Sequence, residues 1–183
     1  MSASQLRMVR RSFDRLPEIC IPDGYELRTY QPGDETAWAE IMNSGIGSWA
    51  VEKVHQELTG NPRFRADALF FITFEGKPVA SACAWVHDPG ETEKGYLHMV
   101  CALPEHRGKQ LGYQVTLAVL HYFRDHGFKE VWLSTDDVRI PAMKSYLRLG
   151  FEPFSEDDAH RERWANVFDI IAKQQGSPAP DPR

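Results

Sequence analysis

Between Gly95 and Gly112 the chain reads GYLHMVCALPEHRGKQLG, an apolar run followed by a proline and a short basic turn that carries two glycines. Tyr96 to Leu103 has no breaker and suits a central strand covered on both faces, and Pro104 ends the ladder by removing a donor. From Leu111 the residues Leu111, Val115, Ala118, Val119, Tyr122 and Phe123 keep the spacing of one helical face, which closes at Gly127. The turn is therefore Arg107-Gly108-Lys109-Gln110-Leu111-Gly112, at the start of a helix. A helix N-terminus presents backbone N–H groups and the positive end of the dipole. Gly108 and Gly112 let a ligand approach the backbone, and Arg107 and Lys109 add charge. The chemistry that suits such a turn is the binding of a pyrophosphate. The turn is not a Walker A loop, because Lys109 stands at the wrong place and no Ser or Thr follows it.

The strand, the Pro-x-x-Arg step and the turn resemble the GNAT superfamily of acyl-CoA-dependent N-acyltransferases, whose pyrophosphate loop reads Arg/Gln-x-x-Gly-x-Gly/Ala. Gln110 stands where that loop usually has its first glycine, so either the local φ is negative or the loop is shaped differently. A second stretch, Val131 to Phe151, is similar to the superfamily's closing helix in its pattern Ala142-x-x-x-Tyr146-x-x-x-Gly150-Phe151, and it follows a strand at Glu130 to Thr135. The resemblance runs from Tyr25 to Phe154. It implies that the backbone of Val100, Cys101 and Ala102 holds the pantetheine of acetyl-CoA, with Arg107, Gly108, Lys109, Gln110, Leu111, Gly112 and Tyr113 around the pyrophosphate. Arg139 stands where the family usually has an Asn. It either reaches a cofactor phosphate or caps the approach from solvent.

Moving an acyl group from a thioester to an amine needs a neutral amine, a polarised carbonyl and a proton for the departing thiolate. Tyr146 occupies the position where the family places a tyrosine near the sulfur, and a phenol of pKa about 10 can protonate a thiolate of pKa about 8.5 at modest cost. The other reading of Tyr146 is an aromatic packed under the sheet. His98 is the leading base: alternation puts Tyr96, His98, Val100 and Ala102 on one face, and His98 to Ala102 resembles the aralkylamine acetyltransferases, which carry a His there. Its alternative is a hydrogen-bonded core histidine. Asp136 and Asp137 are rivals for the base or for holding a substrate ammonium, or else turn-forming caps. Trp49, Trp85 and His87 either line an acceptor pocket or pack in the core.

The elements that must position these residues follow from periodicity. Tyr25 to Tyr30 alternates as a first strand, Asp34 is an expected N-cap for a helix bearing Ala37, Trp38, Ile41 and Met42, and a second helix is expected over Ala50 to Leu58. Leu69 to Phe74 and Val79 to His87 read as a hairpin turning through Glu75 to Pro78. After the basic turn come the strand at Glu130 to Thr135, a helix at Ile140 to Leu149 and a C-terminal amphipathic helix over Ala159 to Lys173. This element order resembles that of the GNAT superfamily, and the resemblance implies the fold class α/β (α+β), a mixed, mostly antiparallel sheet of the GNAT type flanked by helices. That terminal helix, with the openings Pro22-Asp23-Gly24-Tyr25 and Gln31-Pro32-Gly33-Asp34, is similar to the mycothiol synthase-like branch.

Residues 1–22 are expected as an arm with no element of its own, residues 23–174 as a single domain and residues 175–183 as a disordered tail. The 183 residues, 42% of them hydrophobic, suffice for one core. A net charge of −5 argues against a nucleic-acid or anionic-membrane surface. Cys20, Cys83 and Cys101 lack pairing or zinc spacing and read as reduced thiols, so no metal is expected. No segment reads as a leader or a membrane span, which points to the cytoplasm. Two functions remain: an acetyl-CoA-dependent N-acetyltransferase acting on a small-molecule or protein amine, or a non-catalytic CoA-binding regulatory module.

Overall fold

The computed structural model describes residues 4–176. Its contacts gather into two compact units, Arg10–Leu133 and, separately, Met1–Val9 with Ser134–Arg183. In the larger unit, strands β2 (Tyr25–Thr29), β3 (Leu69–Phe74), β4 (Lys77–Trp85), β5 (Lys94–Ala102) and β6 (Glu130–Thr135, which runs into the smaller unit) lie side by side in that order. The pairs are antiparallel except β5 with β6, which is parallel. The sheet is mixed and mostly antiparallel, as the resemblance implied.

Alternation along β3 decides what covers each face. Leu69 and Phe71 join the core of helix α1 (Glu35–Asn43), formed by Trp38, Ala39, Ile41 and Met42 with Cys83, Trp85 and Cys101. Phe70 points the other way, its ring edge-on to Tyr122 of helix α3 (Leu111–Asp125). The hairpin between β3 and β4 is tighter than expected. Only Glu75 and Gly76 form the turn, at φ of 50° and 78°, the two positive values of a type I′ connection, so Lys77 and Pro78 already belong to β4. That strand stops at Trp85, which leaves His87 in the following loop.

Other expectations are corrected locally. The helix foreseen over Ala50 to Leu58 is one α-turn, α2 (Val51–Val54), running into a π-helical turn at His55–Thr59 closed by Gly60 N–H donating to His55 O at 2.7 Å. Asp34 stands at the N-cap of α1 without capping it, because its carboxylate accepts from Arg28 at 2.6 and 2.8 Å and from the Gln31 amide at 2.7 Å.

In the smaller unit Leu6–Arg10, foreseen as part of an arm, forms strand β1, antiparallel to an unforeseen short strand β7 (Glu152–Phe154). Leu6, Met8 and Val9 are buried there. Helix α4 (Ile140–Arg148) comes where the periodicity put it, and the terminal helix α5 (Asp158–Gly176) buries Trp164, Val167 and Ile171. That helix takes in the first two residues of the expected tail, and the remainder, 177–183, lies outside the described residues.

Helix α3 packs tightly against β5 at Gly95. A Cβ built there would stand 2.3 to 2.7 Å from ring atoms of Phe123, which is 1% exposed and has nowhere to go. Gly95→Ala should therefore lower stability by about 1–3 kcal/mol, the usual cost of overpacking. Phe123→Leu in the same chain should recover part of that loss in urea or thermal unfolding. An unaltered melting temperature in Gly95→Ala would mean that this contact is looser than described.

Candidate functional site

Two backbones part in the middle of the larger unit. β5 pairs with β6 through Lys94↔Glu130, Gly95↔Val131 and Tyr96↔Trp132, and this register goes no further among the described residues. On its other side β5 stays with β4, but the register slips. Ser81 faces Cys101 while Cys83 faces His98, so β5 spends an extra residue, and Met99 takes a left-handed φ of 56°. This is a β-bulge. It corrects the simple alternation expected for β5: Tyr96, Met99, Cys101 and Leu103 all meet the core of α1, a set of positions that an unbroken period of two cannot produce. The Cys101 thiol donates to Ile41 O at 3.2 Å. Past the bulge β5 runs on to Ala102 with no further register to β6 among the described residues, while Cys101 and Ala102 stay in register with Ser81 and Ala80 of β4.

The strand then runs into a 3₁₀ turn, Pro104–His106, and the basic turn. The turn is anchored at two places. The Tyr25 hydroxyl hydrogen-bonds His106 Nδ1 at 2.9 Å, and the His106 ring packs against Phe74 with centroids 5.3 Å apart. Arg107 folds back, donating from Nε to Ala102 O and from Nη2 to Ser44 O, both at 3.3 Å, which ties the end of β5 to the end of α1. Arg107 thus shapes the turn, and Lys109 donates to Glu105 O at 3.5 Å. Gly108 has φ of 80°, and Gln110, the departure from the glycine pattern, has φ of 59°. The sequence reading left open a negative φ or a differently shaped loop, and the structure corrects the first: φ is positive, so Gln110 keeps the backbone a glycine would have. No side chain caps α3, whose first i→i−4 bond runs from Gln114 N–H to Gln110 O. A Cβ at Gly108 or Gly112 would meet nothing within 4 Å, so the backbone here is open to a ligand. Leu111 is buried and can offer only its backbone, and Tyr113 is half-buried.

His98, just before the bulge, stacks on Trp85 with centroids 5.7 Å apart. Its ring is crowded on that side, although the residue keeps exposed surface. Burial, His87 and Arg63 push its pKa down to about 4, and the water that reaches it moderates the size of the drop. His98 is neutral at pH 7. Around it Tyr96 meets the His87 ring at 3.8 Å, and Arg63 lies over Trp85 at 5.2 Å. Trp85 is core and neighbour to His98 at once, whereas Trp49 packs edge-on to Trp38 at 5.1 Å. No sequence signal singled out Arg63, which sits in a loop without periodicity. Tyr25 and His106 were equally silent, since a hydrogen bond across 81 positions leaves no mark on spacing.

In the smaller unit the rival carboxylates are already engaged. Asp136 accepts from Gln5 and from Arg139 Nε, both at 2.9 Å, and these bonds hold its pKa below the usual range. Asp137 accepts from Arg163 Nε at 2.9 Å with the same effect. Both are poor bases, and the Arg139 head is turned to Asp136. Tyr146 is 7% exposed on α4, its ring 5.9 Å from that of Phe151. All three cysteines are free, and burial pushes the Cys83 thiol up to about 12, which makes it inert.

The family model for the acetyltransferase (GNAT) family matches residues 36–151. The chain is 33% identical over 150 residues to a mycothiol acetyltransferase of Thermomonospora curvata, covering 78% of this chain and 49% of that protein. It is 32% identical over 174 residues to a mycothiol acetyltransferase of Rhodococcus erythropolis, covering 87% and 58%. The chain thus spans about half the length of the curated relatives it matches. A GCN5-related N-acetyltransferase from Sphaerobacter thermophilus shares the fold with a TM-score of 0.67 at 20% identity, over 83% of this chain and 50% of that one. Rv2747 from Mycobacterium tuberculosis, solved in complex with CoA and NLQ, gives 0.57 at 16% identity, over 85% and 83%.

The pKa of His98 has a consequence for stability. Because the folded value lies below the ordinary 6.5, the unfolded chain takes up this proton first as pH falls. The stability tied to neutral His98 is complete above pH 6.5 and is lost progressively toward about pH 4. An NMR titration of the ring should show a midpoint well below 6.5, and His98→Gln should lose stability less steeply across that window. Equal slopes for the two proteins would show that His98 titrates normally.

Proposed function

Because this chain belongs to the acetyltransferase (GNAT) family, we propose that it moves the acetyl group of acetyl-CoA by direct transfer onto a primary amine. One observation carries this reading: a strand whose register with β6 ends before a bulge, among the described residues, leads into an open, left-handed turn at the N-terminus of the 15-residue α3. Those features suit the two parts of CoA. Pantetheine amides need an extended backbone to pair with, which Val100, Cys101 and Ala102 would supply. A pyrophosphate needs clustered N–H groups with no Cβ in the way, which Gly108 to Tyr113 would supply, with Lys109 adding charge. Arg107 contributes by holding the turn rather than by reaching outward. Arg139 would have to leave Asp136 to meet a phosphate.

When bound, acetyl-CoA supplies an acyl group already activated as a thioester. Neutral His98 would accept the amine's proton, directly or through water, and the hydroxyl of Tyr146 would give a proton to the departing thiolate. The engaged state of Asp136 and Asp137 supports His98 over either carboxylate. No observation on the described residues favours the non-catalytic CoA-binding module. A small-molecule acceptor is in keeping with the mycothiol acetyltransferases among the curated relatives. No helix of the described residues is long and apolar enough to cross a membrane, and a cytoplasmic location belongs to the same reading.

Release of free CoA and an acetylated product from a broad amine screen tests the activity itself. Gly112 is the sharper probe of the cofactor loop than Gly108, because its φ is not in the left-handed region and its Cβ space is open. Gly112→Asp should keep the fold while weakening acetyl-CoA binding by about a hundredfold or more, through steric and charge conflict with the phosphates. Calorimetry showing unchanged affinity would remove the loop assignment. Tyr146→Phe, followed in single turnover with a genuine acceptor, should slow transfer by roughly 10²- to 10⁴-fold while acetyl-CoA affinity holds. An unaltered rate would leave the acid elsewhere.

A further inference from the structure

Arg63 is a cation held in place with no counter-ion among the described residues. Its loop begins with Asn61, whose Oδ1 accepts from both the Arg63 amide and Arg63 Nε at 3.0 Å. Nη1 donates to His87 O at 3.3 Å, and the guanidinium lies 5.2 Å from the centre of the Trp85 ring. Those contacts fix the plane of the head and leave Nη2 without a partner among the described residues. The chain carries 26 Asp and Glu, yet none lies within ion-pair distance of Arg63 among the described residues. A surface arginine that serves only solubility is free to swing. This one is half-buried, braced by an amide, a carbonyl and an indole, and its field is felt by His87 and His98.

The same indole joins Arg63 to the proposed base. Trp85 stacks on His98 with centroids 5.7 Å apart and carries Arg63 at 5.2 Å. Tyr96 and His87, in ring contact at 3.8 Å, add aromatic surface beside it. A bare cation so close would repel an acceptor whose only charge is its ammonium, and would draw in one that brings an anion of its own. We propose that Arg63 is the anion-recognising residue of the acceptor site, and that the acceptor is an amine carrying a compact oxyanion, carboxylate or phosphate, which docks on the Arg63 fork beside Trp85. This rests on the acetyl-transfer reading and adds the class of acceptor to it. Arginine suits the task because its planar fork matches two oxygens at once, a geometry that lysine lacks.

The test uses the full chain with acetyl-CoA and three matched acceptors: para-(aminomethyl)benzoate, its phosphonate counterpart and its neutral carboxamide. All three present the same benzylic amine, so differences report on the remote group. The wild-type protein should prefer an acid over the amide by about tenfold or more in kcat/KM, expressed mainly in KM, the scale of one charge-assisted hydrogen-bonded contact. Which acid leads identifies carboxylate or phosphate as the natural group. Arg63→Met keeps the stem over Trp85 and removes the fork, and it should bring the acid-to-amide ratio to near one, with Arg63→Lys between. A ratio near one in the wild type, or a preference that persists in Arg63→Met, overturns the assignment and leaves acetyl transfer intact. If none of the three acceptors, nor any other amine in the screen, is acetylated, acetyl transfer itself fails and this inference with it. Should Arg63→Met not fold, the wild-type ratio decides: a preference that shrinks in molar salt supports the assignment, and one indifferent to salt overturns it.

Discussion

Everything proposed for this protein depends on one event in the backbone, the extra residue that β5 spends opposite Ala82. A regular antiparallel partner would keep β5 flat and its alternation intact. With Met99 at positive φ the strand bends, its side chains change faces, and its pairing with β6 has already ended at Tyr96. Backbone groups that would have closed a ladder are left beside a turn that opens a helix. Backbone polar groups need partners, so a strand that stops pairing on one side leaves its groups there to side chains, water or a ligand. A ligand that pairs like a strand is one such partner, which is why this break invites an extended amide chain.

Around that break the molecule spends its side-chain hydrogen bonds on holding backbone. Arg107 bridges the ends of β5 and α1, and His106 ties the following turn to Tyr25 and Phe74. At the start of α1, Glu35 accepts from the Tyr30 hydroxyl at 2.5 Å and from Gly33 N–H at 3.0 Å. Burial and that carboxylate push the Tyr30 pKa up to about 12. Each such bond nets only about 1 kcal/mol, so their value lies in fixing geometry more than in stability. Left-handed residues need this bracing. Gln110 and Met99 each give up roughly 1–2 kcal/mol relative to a relaxed conformation, and they persist because their neighbours over-determine them.

Electrostatics sorts the titratable groups by task. Asp136 and Asp137 hold arginines and have lost basicity to them, whereas His98 is crowded by Trp85 and by positive neighbours and stays neutral. A neutral imidazole is a proton acceptor at any physiological pH, though a weak one. Such a base works best on an amine whose own proton is already easily lost.

How much of this was legible in the sequence follows from the range of the forces involved. Strand β3 and strand β6 were read to the residue, and α3 and α4 nearly so, because hydrophobic periodicity is local and survives in a single chain. The basic turn was legible for the same reason: glycine, charge and a helix start lie within six positions of one another. What escaped is non-local. The bulge at Met99 carries no glycine to announce it, and it arises only when β4 and β5 settle their register. β1 and β7 are too short for a period and exist by pairing with each other. Whether Gln110 would take positive φ could not be read from its identity, since the surrounding turn sets it. The engagement of Asp136 by Gln5 and of Asp137 by Arg163 joins residues 131 and 26 positions apart, and the bracing of Arg63 over Trp85 is a contact between a loop and a sheet. The sequence by itself determined most of the strands and helices and marked the turn where a phosphate is expected. The tertiary structure alone decided which charges are free to meet a ligand, because a charge is spent or kept by neighbours that only folding brings together.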